Sequence, residues 1–135
     1  MNLKDKLKEI GLDTDNSIVI GSGILEVLGI RKSADIDVVV TEKKFTELSK
    51  NLRFKRGEKE DVLTDGVFEI GPNWKPLGES FNLEQVLDKT TVIDGVRYNS
   101  LEFLLIVKKQ WLKEGDKKPK TAQDVVLIEE YLRNK

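Results

Sequence analysis

The run Asp35-Ile36-Asp37-Val38-Val39-Val40 constrains this chain more than any other stretch. Its β-branched residues follow one another instead of alternating with polar ones, the pattern of an interior strand covered on both faces. It opens, however, on two acids. Asp35 and Asp37 stand two residues apart, so on a strand they share one face, with Cα atoms roughly 6.5–7 Å apart. Carboxylates at the mouth of a buried strand need a cation or hydrogen bonds to offset desolvation. Two acids this close also repel, which a divalent metal relieves. The bland alternative is a strand that enters from solvent with its polar face wet.

Upstream, Ile18-Val19-Ile20 reads as a second short strand, ending in Gly21-Ser22-Gly23. Ile24, Leu25, Val27 and Leu28 then make residues 23–30 apolar enough for a short helix buried against a sheet, and residues 31–34 form a loop before the acids. A Gly-Ser turn ahead of a helix leaves backbone N–H groups and a hydroxyl free to meet an anion. The same turn also suits any strand-to-helix corner that needs glycine's permissive backbone. Phosphate on one side and metal-binding carboxylates on the other suggest phosphoryl or nucleotidyl transfer. Strand, helix and strand in this order favour an α/β or α+β sheet domain.

Composition narrows the chemistry. The chain of 135 residues has no cysteine and no histidine, which excludes disulfides, thiolate sites, His-based triads and the usual general base near neutral pH. What remains is carboxylates, lysines, hydroxyls and backbone. Oxygen ligands suit hard cations, so the expected metal is Mg²⁺ or Mn²⁺. Lys and Arg number 23 against 24 Asp and Glu, so net charge does not indicate nucleic acid or an acidic membrane as partner. The N-terminus is too charged for a signal peptide and no apolar run approaches bilayer length, making the cytoplasm the default expectation. Length fits one domain, 1–135.

The rest of the chain reads as alternating elements. Leu3, Leu7 and Ile10 lie at helical spacing before Gly11, and Phe45, Leu48 and Leu52 follow Thr41 in the same way. Residues 53–61 form a charged loop or exposed edge. Asp65-Gly66 and Asp94-Gly95 are hairpin turns, between 62–63 and 67–70 and between 91–93 and 96–98. Leu83, Val86 and Leu87 suggest a short helix. Ser100 caps a helix to about Leu112 whose apolar stripe, Leu101, Leu104, Leu105 and Leu112, is interrupted by Lys108. A last helix spans 121–132.

Taken jointly, an apolar strand, Gly21-Ser22, an intervening helix and Asp35-Ile36-Asp37 resemble the signature of the DNA polymerase β-like nucleotidyltransferase superfamily. The resemblance implies that Gly21 and Ser22 contact a triphosphate and that Asp35 and Asp37 bind two divalent metals. It also implies a third acid on a later strand. Glu69, in Phe68-Glu69-Ile70, matches best, with Asp65 and Asp61 as competitors and an outward, purely polar role as its alternative.

A second resemblance lies in Leu105-Ile106-Val107-Lys108 and in residues 118–125. These are similar to the C-terminal part of AbiEii toxin-like small nucleotidyltransferases, which carry a lysine in a helix and then Arg-x-Lys-Asp-x-x-Asp. Lys118 stands for the arginine, Lys120 and Asp124 match, and Thr121 replaces the first aspartate. Lys108 and Lys120 would then hold phosphate as point charges. For Asp124 the Thr121-x-x-Asp124 spacing favours a different role, a capping box on the last helix.

The expected architecture is a minimal nucleotidyltransferase fold, a small mixed sheet with helices mainly on one side. The expected reaction transfers a nucleoside monophosphate from an NTP, ATP in the first instance, to a hydroxyl of a protein, RNA end or small molecule. The competing expectation is a catalytically inactive nucleotide-binding or interaction protein of a toxin–antitoxin-like pair, with a partner protein or a second copy completing the pocket.

Overall fold

A computed structural model describes residues 2–33, 35–57 and 61–135. Position 34 of the expected 31–34 loop, and positions 58–60 of the expected charged loop, lie outside the described residues. Among the described residues seven strands form one mixed sheet in the order β3-β4-β5-β2-β1-β7-β6. In chain order they are β1 (Ser17–Ile20), β2 (Ile36–Val40), β3 (Lys55–Arg56), β4 (Leu63–Thr64), β5 (Phe68–Gly71), β6 (Thr90–Ile93) and β7 (Val96–Asn99). The helices are α1 (Leu3–Glu9), α2 (Gly23–Val27), α3 (Glu42–Ser49), α4 (Leu83–Val86), α5 (Leu101–Lys113) and α6 (Pro119–Arg133).

β2 lies at the middle of the sheet, as its β-branched run predicts. It pairs antiparallel with β1 and parallel with β5. Alternation then sorts its side chains between two layers. Val38 and Val40 join Val19, Phe68, Ile70 and Tyr98 in the main core, together with apolar residues of α1, α2, α3, α5 and α6. Val39 and Ile18 face the other way, into a smaller cluster with Leu83 and Val86 of α4 and the partly buried Ile20, Trp74 and Phe81. Helices thus cover mainly one side, and α4 packs on the second face against Ile18 and Val39.

Local signals place the remaining elements. Asp94 and Gly95 both take positive φ, 50° and 78°, as a two-residue turn between β6 and β7 requires. The Asp65 carboxylate accepts from the backbone N–H groups of Val67 and Phe68 and so builds the β4–β5 turn. Asn82 and Gln85 form a reciprocal capping box on α4. Leu52 was expected on α3; it lies beyond the helix and is fully exposed. The Ser100 hydroxyl accepts from the Phe103 N–H at 3.1 Å and caps α5. Ser100→Ala is expected to cost about 1 kcal/mol, a fall of roughly 3–5 °C in melting temperature for a chain this size, measurable by thermal denaturation.

Candidate active site

The site is built where β1 ends and β2 begins. Ile20, the last residue of β1, pairs with Asp37 in β2, so the Gly21-Ser22 turn leaves the sheet beside that acid. Gly21 has φ +73°, a left-handed conformation that side-chain-bearing residues rarely adopt. A Cβ built on it would stand 3.8 Å from Oδ2 of Asp37, so the carboxylate lies at the turn itself. The second glycine has a different reason. A Cβ on Gly23 would come within 2.5 Å of Val19 Cγ1, because α2 folds directly back onto β1.

The register of β5 brings Glu69 to the same place. Asp37 pairs with Glu69 across the parallel β2–β5 ladder, so the two side chains leave neighbouring strands on one face, with backbones about 4.8 Å apart. Glu69 is exposed while its neighbours Phe68 and Ile70 are buried. The competing acids lie elsewhere. Asp65 is engaged in its turn and with Arg53 at 2.8 Å. Asp61 is exposed with Arg56 3.8 Å away.

Asp35 departs from expectation in one respect. It precedes β2 in a bend, exposed, and its carbonyl accepts from the Ser33 hydroxyl at 3.0 Å. No ladder pairing enforces its orientation. Among the described residues no three acids are gathered closely enough to hold a metal by themselves.

On the other side of the turn sits a charged cluster that the sequence showed only in part. Asp124, fully buried, accepts from Arg31 through both oxygens, Nε and Nη2 each at 2.7 Å. Lys108 reaches the same carboxylate at 2.9 Å. Arg31 Nη2 also donates to the Ser22 hydroxyl at 3.1 Å, joining the cluster to the Gly-Ser turn. Burial pushes the Asp124 carboxyl up, but the hydrogen bonds and charges of Arg31 and Lys108 outweigh it and hold it below the ordinary range. The hydrogen bond to Asp124 in turn raises the Arg31 guanidinium.

This corrects the capping role expected for Asp124. α6 starts at Pro119 with Lys118 as its N-cap. Thr121 donates its hydroxyl to Asp116 at 2.9 Å, and the other Asp116 oxygen accepts from the Lys118 N–H. Asp116 thus does the work at the helix start, and Asp124 is left to face the core. Lys108 takes the apolar position in its stripe because its ammonium has a buried partner and lies 5.5 Å from the Trp111 ring centre. Lys120, by contrast, is exposed on the first turn of α6. In the sequence Arg31 is a loop residue close ahead of the acid pair, and its partner lies 93 residues away.

No protein-family model and no curated protein matches the sequence. The structure does resemble the solution structure of the antibiotic-resistance factor ANT(2'')-Ia, with a TM-score of 0.60 and 22% identity, over 95% of this chain and 79% of that one. The fold is nucleotidyltransferase-like. At this identity the likeness speaks for the fold, and the chemistry has to be argued from the residues. Among the described residues no helix is long and apolar enough to cross a membrane.

Proposed function

We propose that this chain is a metal-dependent nucleotidyltransferase that moves a nucleoside monophosphate from an NTP to an acceptor hydroxyl and releases pyrophosphate. The observation that carries the reading is the register of Asp37 with Glu69, directly beside the Gly21-Ser22 turn. The C-terminal pattern of Lys108, Lys118, Lys120 and Asp124 supports a relation to the AbiEii toxin-like kind.

The donors at this face are carboxylate oxygens, with no nitrogen or sulfur ligand. Mg²⁺ commonly takes one or two protein carboxylates and completes its shell with water and substrate phosphates. Asp37 and Glu69, with Asp35 in the bend before β2 as the third acid, fit that demand without forming a three-acid cage in advance. A bound Mg²⁺ or Mn²⁺ would neutralise the triphosphate and lower the pKa of the attacking hydroxyl. The chain's own residues supply the rest. Gly21 and Ser22 hold phosphate oxygens at the turn, with Lys108 as a buried cation behind them and Lys120 as an exposed one. Glu69, exposed, would share the second metal or take the acceptor's proton as the acceptor oxygen bonds to the α-phosphorus and the bond to the β-phosphate breaks. Most of the rate in such chemistry comes from positioning and charge stabilisation.

The test is thermal. With Mg²⁺ and an NTP at a hundredfold excess over Kd, linkage stabilises by about 2.7 kcal/mol, a rise on the order of 10 °C in melting temperature. The rise should require Mg²⁺ or Mn²⁺ and vanish in Asp35→Ala/Asp37→Ala. If none of the four NTPs shifts the wild type, the reading fails. An equal shift without metal and in the double variant would leave a metal-independent nucleotide binder, the alternative expected from a toxin–antitoxin-like partner. Transfer of labelled α-phosphate to a lysate component then identifies the acceptor.

A further inference from the structure

We propose that Arg31 is a triphosphate-binding residue, held for that task by the buried carboxylate of Asp124 on α6. The inference rests on the nucleotidyl-transfer reading and adds a residue that neither the Gly-Ser turn nor the acid pair assigns.

The hydrogen-bond inventory of Arg31 is the first ground. Its Nε donates to Asp124 Oδ1, Nη2 donates to Asp124 Oδ2 and to Ser22 Oγ, and Nη1 donates to the Lys32 carbonyl at 2.8 Å. A guanidinium has five N–H donors, so among the described residues one on Nη1 is left for a ligand. Ser22 is prepared in the same way. Its oxygen accepts from Arg31 and makes no capping bond to α2, and among the described residues its O–H donates to no partner, which leaves that donor for an anion.

Charge is the second ground. Two cations, Arg31 and Lys108, share the single negative charge of Asp124. The side chains are 17%, 8% and 0% exposed, so in a mostly water-excluded triad two positive charges face one carboxylate, with Asp116 as a further acid near Lys108. The cationic side of the triad can take a counter-ion. Its exposed fraction belongs to Arg31, the member bonded to the Gly21-Ser22 turn. Arginine's fork suits phosphate oxygens, and a carboxylate that fixes the fork in advance reduces the ordering that binding requires.

Asp124 acts through Arg31 and is a positioning residue. That assignment has a sign that simple electrostatics does not share. Removing an acid near an anion site should tighten anion binding, whereas removing the residue that aims Arg31 should weaken it.

The experiment measures the Kd of each NTP with Mg²⁺, and of inorganic tripolyphosphate, by calorimetry well below each variant's melting temperature. Arg31→Gln is expected to weaken both probes at least tenfold, and Arg31→Lys to recover part of the loss by restoring charge without the fork. Asp124→Asn is expected to weaken both despite removing a negative charge. A lowered melting temperature with Kd within twofold of wild type in Arg31→Gln would make the cluster a structural staple and overturn the proposal. If Arg31→Gln does not fold, unchanged affinity in Arg31→Lys overturns it equally. Tighter or equal binding by Asp124→Asn overturns the positioning role. A wild type that binds no NTP overturns this inference and the nucleotidyl reading together; binding that survives in the Arg31 variants overturns this inference alone.

Discussion

Asp37→Asn is expected to lower nucleotidyl transfer by at least about 10²–10³-fold, the range typical of removing one preorganised electrostatic element from a transition state. Asparagine keeps the shape of the side chain and removes its charge. The position makes that charge consequential: Asp37 pairs with Ile20 on one side and Glu69 on the other, and its Oδ2 lies at the Gly21 turn. Among the described residues it is thus an acid that lies both at the Gly21-Ser22 turn and in register with a second carboxylate. The assay is NTP-dependent release of pyrophosphate, with Mn²⁺ uptake in the presence of NTP followed by electron paramagnetic resonance. Transfer and Mn²⁺ uptake at wild-type levels in this variant would remove Asp37 from the site.

The second large effect is on stability. Asp124→Ala should destabilise the fold by about 3–5 kcal/mol, because it leaves Arg31 and Lys108 as uncompensated, largely buried cations. The melting temperature should fall by about 10 °C or more. Replacing the whole cluster, Asp124→Leu with Lys108→Met and Arg31→Met, should recover most of that stability, since well-packed apolar residues often substitute for a buried ion cluster at no net cost. Nucleotide binding should not return with it. Thermal denaturation of the single and triple variants checks both statements, and a triple variant no more stable than Asp124→Ala would contradict the account.

Acid sensitivity follows from the same carboxylate. The folded Asp124 ionises below its ordinary value of 3.8, so the folded state binds fewer protons than the unfolded state in the acid range. Its contribution is complete above the unfolded value and is lost as pH falls through the lower, folded one. The wild type should therefore lose stability on acidification below about pH 4 more steeply than Asp124→Asn.

Much of the architecture was legible because short-range physics decides it. The β-branched run of β2 is typical of an interior strand, Asp94-Gly95 is a strong hairpin signal, and Ser100 announced α5 through a hydroxyl placed to accept the Phe103 N–H. The turn glycines were legible as well, though not their separate reasons. Gly21 needs a positive φ, and Gly23 needs room against Val19. Where local rules misled, a long-range partner had overruled them. Thr121-x-x-Asp124 has the spacing of a capping box, yet Pro119 can begin a helix two residues earlier because its missing N–H is not needed there. That shift frees Asp124 for Arg31.

By itself, then, the sequence determined the sheet-and-helix class, the absence of histidine and cysteine ligands, and the acid-bearing strand next to a Gly-Ser turn. Each depends on residue type and on spacings of a few residues. Only the tertiary structure decided that Glu69 is the acid in register with Asp37, since pairing between β2 and β5 joins positions 32 residues apart and no local pattern sets that register. It likewise decided that Lys108, Asp124 and Arg31 form one buried cluster on Ser22. A lone lysine in an apolar stripe and an acid at capping distance look like exceptions until the fold brings them together, because the cost of burying each charge is offset only by the other.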